Sequence, residues 1–264
     1  MIRDSAGNLY GTTGAGGQSG CYAWWGQGCG VVYRLDPSGQ ETVLHTFDPE
    51  KDGGQPICGL VQDSAGNLYG NTSYSGYAGG GVVYKLDPSG NETVLHSFTA
   101  EFSGAGGPEG AFPTGSMVLD SAGNLYGTAW AGGSTPEGCM TFGCGVVFSL
   151  NQAGDYTVLY SFTGGADGGT PFAGLVRDPA GNLYGAASDG GIAAAACVPY
   201  YGPGCGVVFK LDPSGTETVL HEFTGADGGV PYAGVTLDPA GNLFGTTYYG
   251  GSANAGAVYK LTMP

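Results

Sequence analysis

The octapeptide Asp-Ser-Ala-Gly-Asn-Leu-Tyr-Gly begins at Asp4, returns at Asp63 and Asp120, and comes back with Pro for Ser at Asp178 and, with Phe for Tyr as well, at Asp238. The starts lie 57 to 60 residues apart, so the chain is five copies of one unit. A unit of this size buries its apolar side only by stacking on its neighbours, and the fold must be a ring or a stack.

Within the unit the pattern is that of strands. In the fourth copy Gly174-Leu-Val-Arg177 runs through Asp178-Pro-Ala-Gly181 into Asn182-Leu-Tyr-Gly185, and Gly206-Val-Val-Phe-Lys-Leu211 runs through Asp212-Pro-Ser-Gly215 into Glu217-Thr-Val-Leu-His-Glu-Phe223. These are two hairpins. Asp opens such turns by bonding the backbone ahead of it, Pro presets φ, and Gly takes the left-handed position. The repeated aspartates are therefore read as turn residues, with calcium ligation as the alternative. Four short antiparallel strands at even spacing define a propeller blade. The expected fold is all-β: a five-bladed β-propeller of four-stranded antiparallel blades forming one domain, with blades near 1–48, 59–98, 116–163, 174–223 and 234–262. An open solenoid array is the alternative. The 55 glycines and 11% charged residues fit short strands joined by tight turns.

The segments Gly81-Val-Val-Tyr-Lys-Leu-Asp-Pro-Ser-Gly90, Glu92-Thr-Val-Leu-His-Ser-Phe98 and Phe162-Thr-Gly-Gly-Ala-Asp-Gly-Gly-Thr-Pro171 resemble the GloVer-type tandem repeat of exported bacterial proteins. The Gly-Asn-Leu-Tyr hairpin also resembles NHL-type propeller repeats. These resemblances imply the same blade topology, export and sometimes a surface anchor. They supply no catalytic residues.

A net charge of −15 with only seven Lys plus Arg excludes nucleic-acid binding and disfavours anionic membranes. No stretch is long and apolar enough to insert into a bilayer. Six of the seven cysteines fall in local pairs, Cys21 with Cys29, Cys139 with Cys144, and Cys197 with Cys205, each ending in Cys-Gly-Val-Val. Disulfides are expected, which places the chain in an oxidising, extracellular or cell-surface setting; the export signal is expected to lie outside the sequence given. Cys58 takes a slot held by Ala173 and Ala233 and is expected to be a small buried residue.

Differences between copies carry more information than the repeat. In the second hairpin Arg34 accompanies Glu41, Lys85 accompanies Glu92 and Lys210 accompanies Glu217, while the third copy has Ser149 and Tyr156 instead. A facing cross-strand charge pair is expected. The fifth copy reaches Leu261 without the second turn or a fourth strand. Three readings of this gap stay open: an uncapped blade that is tolerated, residues outside the sequence given that fill it, or a neighbouring copy that completes it, for which the third strand, Val258, Tyr259, Lys260 and Leu261, together with Met1 and Ile2, is the candidate assembly edge. Aromatic residues gather in the loops opposite the short turns: Tyr22, Trp24, Trp25, Tyr74, Tyr77, Trp130, Phe142, Tyr200, Tyr201, Tyr248 and Tyr249. They are candidates for contact with glycans or another protein.

His45, His96 and His221 share one slot in three fourth strands and so stand too far apart for a single acid-base site. No catalytic residues, metal site or cofactor are assigned, calcium being a possibility without support. Two sequons occur, Asn71-Thr-Ser73 and Asn91-Glu-Thr93. The expectation is a non-enzymatic structural or interaction propeller that partners itself through its incomplete fifth blade; a lectin using the aromatic loops, similar in architecture to tachylectin-like propellers, is the alternative.

Overall fold

The computed structural model describes residues 1–23, 26–74, 79–100, 106–133, 139, 142–191, 197 and 204–263. Trp24, Trp25, Tyr77, Tyr200 and Tyr201 lie outside these, as does the side chain of Tyr22. Blade one comprises β1 (Ile2–Arg3), β2 (Leu9–Thr13), β5 (Val31–Leu35) and β6 (Glu41–Thr46), with a small ribbon of β3 (Tyr22–Ala23) and β4 (Gly26–Gln27) between β2 and β5. Blade two is β7 (Val61–Gln62), β8 (Leu68–Thr72), β9 (Gly79–Leu86) and β10 (Glu92–Thr99). Blade three is β11 (Val118–Leu119), β12 (Leu125–Ala129), β13 (Val146–Leu150) and β14 (Tyr156–Ser161). Blade four is β15 (Val176–Arg177), β16 (Leu183–Ala187), β17 (Val207–Leu211) and β18 (Glu217–Glu222); blade five is β19 (Thr236–Leu237), β20 (Leu243–Thr247) and β21 (Ala257–Leu261). Four antiparallel four-stranded sheets and one three-stranded sheet make the five-bladed propeller that the repeat implies, its last blade one strand short.

The octapeptide closes the first hairpin of each blade. Asp63 Oδ1 accepts from the Ala65 and Asn67 amides, and Oδ2 accepts from the Asn67 side chain and the Tyr69 hydroxyl. Gly66 takes φ 87°, which a side chain would strain. These donors hold the Asp63 carboxyl below its usual range, against its partial desolvation. Every lone pair the aspartate offers goes to its own turn.

The second hairpin carries a bulge. Val94 pairs with Tyr84 and His96 with Val83, leaving Leu95 as an extra residue, and the same shift recurs in blades one, three and four. The extra residue turns Leu95, His96 and Phe98 toward blade three while Val94 faces blade one.

Each of the four described blade junctions uses the same two faces. The side that looks to the next blade, here the front, offers the second valine of the third strand (Val32, Val83, Val147, Val208) and a phenylalanine in or just after the fourth strand (Phe47, Phe98, Phe162, Phe223). The back of the following blade offers the residue ahead of its first strand (Leu60, Met117, Leu175, Val235) and a third-strand ring. Phe47 meets Tyr84, Phe98 meets Phe148, Phe162 meets Phe209 and Phe223 meets Tyr259, all edge-to-face at 5.0 to 5.4 Å.

Backbone staples complete each junction. Gln55, Phe112, Thr170 and Val230 are non-glycine residues at φ 49–59°. Each donates its amide to the preceding blade, to Cys29, Gly80, Cys144 and Cys205 carbonyls at 2.8 Å, and accepts from the end of the second strand of its own blade. The prolines that follow pack on Gly30, Gly81, Gly145 and Gly206, where any side chain would collide.

The expected charge pairs do not form. Five residues, Asp87 to Asn91, close the turn, so Glu92 stands opposite Leu86 and Lys85 opposite Thr93. Lysine and glutamate therefore point to opposite faces of the blade. The base instead sits beside the second-strand ring: Arg34 opposite Tyr10, Lys85 opposite Tyr69, Lys210 opposite Tyr184. In blade three Ser149 takes that place, and Arg177 of blade four reaches over the Tyr126 ring from the other side. The acid faces the preceding blade, where burial and Asp52 push Glu92 up to about 7, and burial and Asp167 do the same to Glu217.

Candidate functional site

The loops opposite the short turns bring aromatic residues from four blades into contact. Tyr74 packs on Phe112, Phe112 stacks on Trp130, Trp130 stacks on Phe172, Phe172 meets Tyr232, and Tyr232 meets Tyr248, with centroids 5.2 to 5.7 Å apart. Phe142 closes on Trp130 from the side. Trp130, expected as a contact residue, is therefore interior: it is sandwiched and only 8% exposed. Tyr74 and Tyr248 keep an open flank at the two ends of the chain of rings, and Tyr249 lies half-buried against Tyr248. Phe112, Phe172 and Tyr232 were missed in the sequence because they sit in the loops between blades; their common place beside the recurring Pro could have revealed them.

Polar groups at the junctions are tied to structure. His45 Nε2 meets Asp52 Oδ2 at 2.6 Å, the Tyr160 hydroxyl donates to Asp167 at 2.9 Å, and His221 meets Asp227 at 2.8 Å. The Asp-Gly-Gly loops thus serve the outer strands, and no group of three or more His, Cys, Asp or Glu side chains suited to a metal occurs among the described residues. Among the described residues His96 Nε2 has no hydrogen-bond partner, and its ring stacks flat on Tyr156 at 3.9 Å. Asp189 is buried beside the Thr170 and Ser188 hydroxyls, and burial pushes it up to about 6. A cleft of about 530 Å³ opens between blades one and two on the turn side, but its Asp4, Asp63 and Asp87 are already committed to turns.

The cysteines pair as expected, Cys21 with Cys29, Cys139 with Cys144 and Cys197 with Cys205. Cys58 is buried, its thiol donating to Asn71 and raised to about 11 by burial. Asn71 is itself fully buried and bonded to the Gly115 carbonyl, so the first sequon is closed in the folded chain; Asn91 is exposed.

The proposed assembly edge divides in two. Tyr259 and Leu261 face inward and pack on blade four, and Ile2 packs into the junction of blades one and two. Val258 and Met1 do the opposite. Val258 is 82% exposed, whereas Val32, Val83, Val147 and Val208 at the same position are all 0%. Met1 is 77% exposed, whereas Leu60, Met117, Leu175 and Val235 are 2–5%. Phe244 and Lys260 on the front of blade five, and Val43 on the back of blade one, are also exposed. Two apolar faces of the kind that fill every described junction are thus open to solvent, one front and one back.

The chain is similar in fold to a luciferin-regenerating enzyme, at TM-score 0.51 and 15% identity over 89% of this chain and 74% of that one. It is similar to a gluconolactonase from Xanthomonas campestris, at 0.48 and 17% over 89% and 65%, and to a protein from Lactobacillus plantarum, at 0.48 and 14% over 97% and 67%. It spans 65 to 74% of these structures' length; at 15% identity the likeness to the luciferin-regenerating enzyme is one of fold and carries no activity across. No curated protein sequence matches the chain. The profile of the Gloeobacter/Verrucomicrobia repeat matches residues 1–199 and, overlapping, 141–264. Five blades on the same first turn, with the bulge in blades one to four and a staple at each of the four described junctions, are the structural form of that repeat, and the chain belongs to the Gloeobacter/Verrucomicrobia repeat family.

Proposed function

We propose that the chain is a non-enzymatic structural or interaction propeller of an extracellular or cell-surface setting, and that it associates with further copies of itself through blade five. The observation that carries this reading is the exposure of Val258, the one third-strand valine of its class left in water. Burying a side chain of that size is worth about 1.5–3 kcal/mol, so an open face of several such residues favours a partner. The three disulfides support an oxidising compartment. Light scattering on oxidised protein across a concentration series tests the reading: species above the 26.4 kDa monomer should grow with concentration. A monomer throughout the range overturns it.

Glycan binding is the second reading, favoured by the open flanks of Tyr74 and Tyr248. It expects a glycan-array signal that Tyr248→Ala abolishes without altering the circular dichroism spectrum.

A further inference from the structure

We infer that the cleft between blades one and two on the turn side binds a sugar acid, a small hydroxylated ring bearing one carboxylate, and that Arg34 is the group that holds the carboxylate. The site lies on the face opposite Tyr74 and Tyr248 and does not depend on self-association, so it stands or falls separately from both readings above.

The cleft opens at a position that the other blades fill. Where the first strand of a blade reaches the turn end of its junction, Leu119 and Leu237 pack into the apolar clusters there, and Arg177 lies over the Tyr126 ring of the preceding blade. Gln62 holds that register position in blade two, opposite Leu68 as the others stand opposite Leu125, Leu243 and Leu183. Its amide does not join the apolar cluster of the junction. About 530 Å³ stays open between Tyr10, Arg34 and Leu44 of blade one and Gln62 and Leu68 of blade two, a volume in the range of small-molecule sites.

The groups left unspent in this cleft are donors. Arg34 forms no ion pair among the described residues, and its Nε is enclosed without a hydrogen-bond partner. The acids of the rim are engaged elsewhere: Asp4 accepts from the Asn8 amide, the Asn8 side chain and the Tyr10 hydroxyl, Asp63 from its own turn, and Asp87 from Ser89 and Asn91. A half-enclosed guanidinium without a counter-charge is matched by a carboxylate, which takes two of its N–H groups at once. Tyr10, Leu44 and Leu68 supply an apolar wall, and Gln62, Ser5 and Ser64 supply further hydrogen-bonding groups, the combination that a hydroxylated ring satisfies. Ionised aspartates at the rim repel added negative charge. One carboxylate is therefore preferred to a phosphate monoester, which is more highly charged at neutral pH.

Calorimetric titration with D-glucuronate tests this, with D-glucose, acetate and D-glucose 6-phosphate as comparisons. D-Glucuronate should saturate with a Kd of about 1 mM or tighter, and each comparison compound should bind roughly fivefold or more weakly. Arg34→Gln should weaken D-glucuronate about tenfold or more, and Arg34→Lys by a smaller factor, because the charge is kept and the fork is lost. Gln62→Leu should abolish binding by closing the cleft as Leu119 closes its own junction, with the thermal midpoint kept or raised, which separates lost binding from lost fold. Absence of saturable D-glucuronate binding overturns the site. A comparison compound that binds as tightly overturns the chemistry assigned to it: D-glucose the role of Arg34, acetate the ring, D-glucose 6-phosphate the single charge. Wild-type affinity in Arg34→Gln or in Gln62→Leu overturns the placement.

Discussion

One hydroxyl separates the first hairpin of blade five from its sisters. Tyr10, Tyr69, Tyr126 and Tyr184 each donate to the turn aspartate at 3.0–3.1 Å, whereas Phe244 leaves Asp238 with its Asn242 and Ala240 donors only. Phe244→Tyr should restore the bond and stabilise the chain by about 0.5–1.5 kcal/mol, read as a rise in the thermal midpoint. Acidic residues set opposing pH dependences. Glu92 and Glu217, at about 7, and Asp189, at about 6, hold their protons more tightly in the fold than in the unfolded chain, so the stability they contribute is complete below about pH 4 and lost as pH climbs through 6 to 7. The turn aspartates Asp63, Asp120 and Asp178 are shifted down, so their contribution is present above pH 4 and lost as pH falls further. The thermal midpoint should therefore rise from pH 8 to about 5 and fall below about 3.5. Glu92→Gln with Glu217→Gln should flatten the upper limb alone; an unchanged upper limb would refute the assignment. The turn role of the aspartates was legible because donor and acceptor lie within six residues. The surroundings of Glu92 were not, because the register of the turn and bulge decides which face it takes.

At the scale of elements, the loop disulfides brace the connections between blades. Cys21 Sγ lies against Gly54 and Cys197 Sγ against Gly229, the positions where a Cβ would strike sulfur. Closing loops this short contributes about 2–3 kcal/mol per bridge. Reduction should lower the midpoint and raise hydrogen exchange at Gly53–Gln55 and Gly228–Val230, whereas Gly107–Phe112, whose preceding blade has no bridge, should hold its protection. Thiol titration should find Cys58 silent in native protein and reactive after unfolding, since burial both hides it and suppresses its thiolate. The cysteine pairs were readable from spacing. The staple residues were not: Gln55, Phe112, Thr170 and Val230 share no chemistry, and only the carbonyl of the neighbouring blade requires a left-handed backbone there. A β-branched residue in that conformation, as at Val230, is stable only because two blades hold it.

For the whole molecule, the front of blade five and the back of blade one differ from every described junction in being open to solvent. The sequence by itself determined the number of blades, their strand order, the turns, the disulfide pairs and the missing fourth strand, because each depends on residues close in the chain and is repeated often enough to compare. Only the tertiary structure decided which aromatic rings are interior, which face carries each charge, and which half of the fifth blade's last strand meets water. Those outcomes depend on what the neighbouring blade supplies. Val258 and Val208 occupy the same position in the repeat and the same type of strand, yet one is in solvent and the other in the core, because only one of them has a blade in front of it.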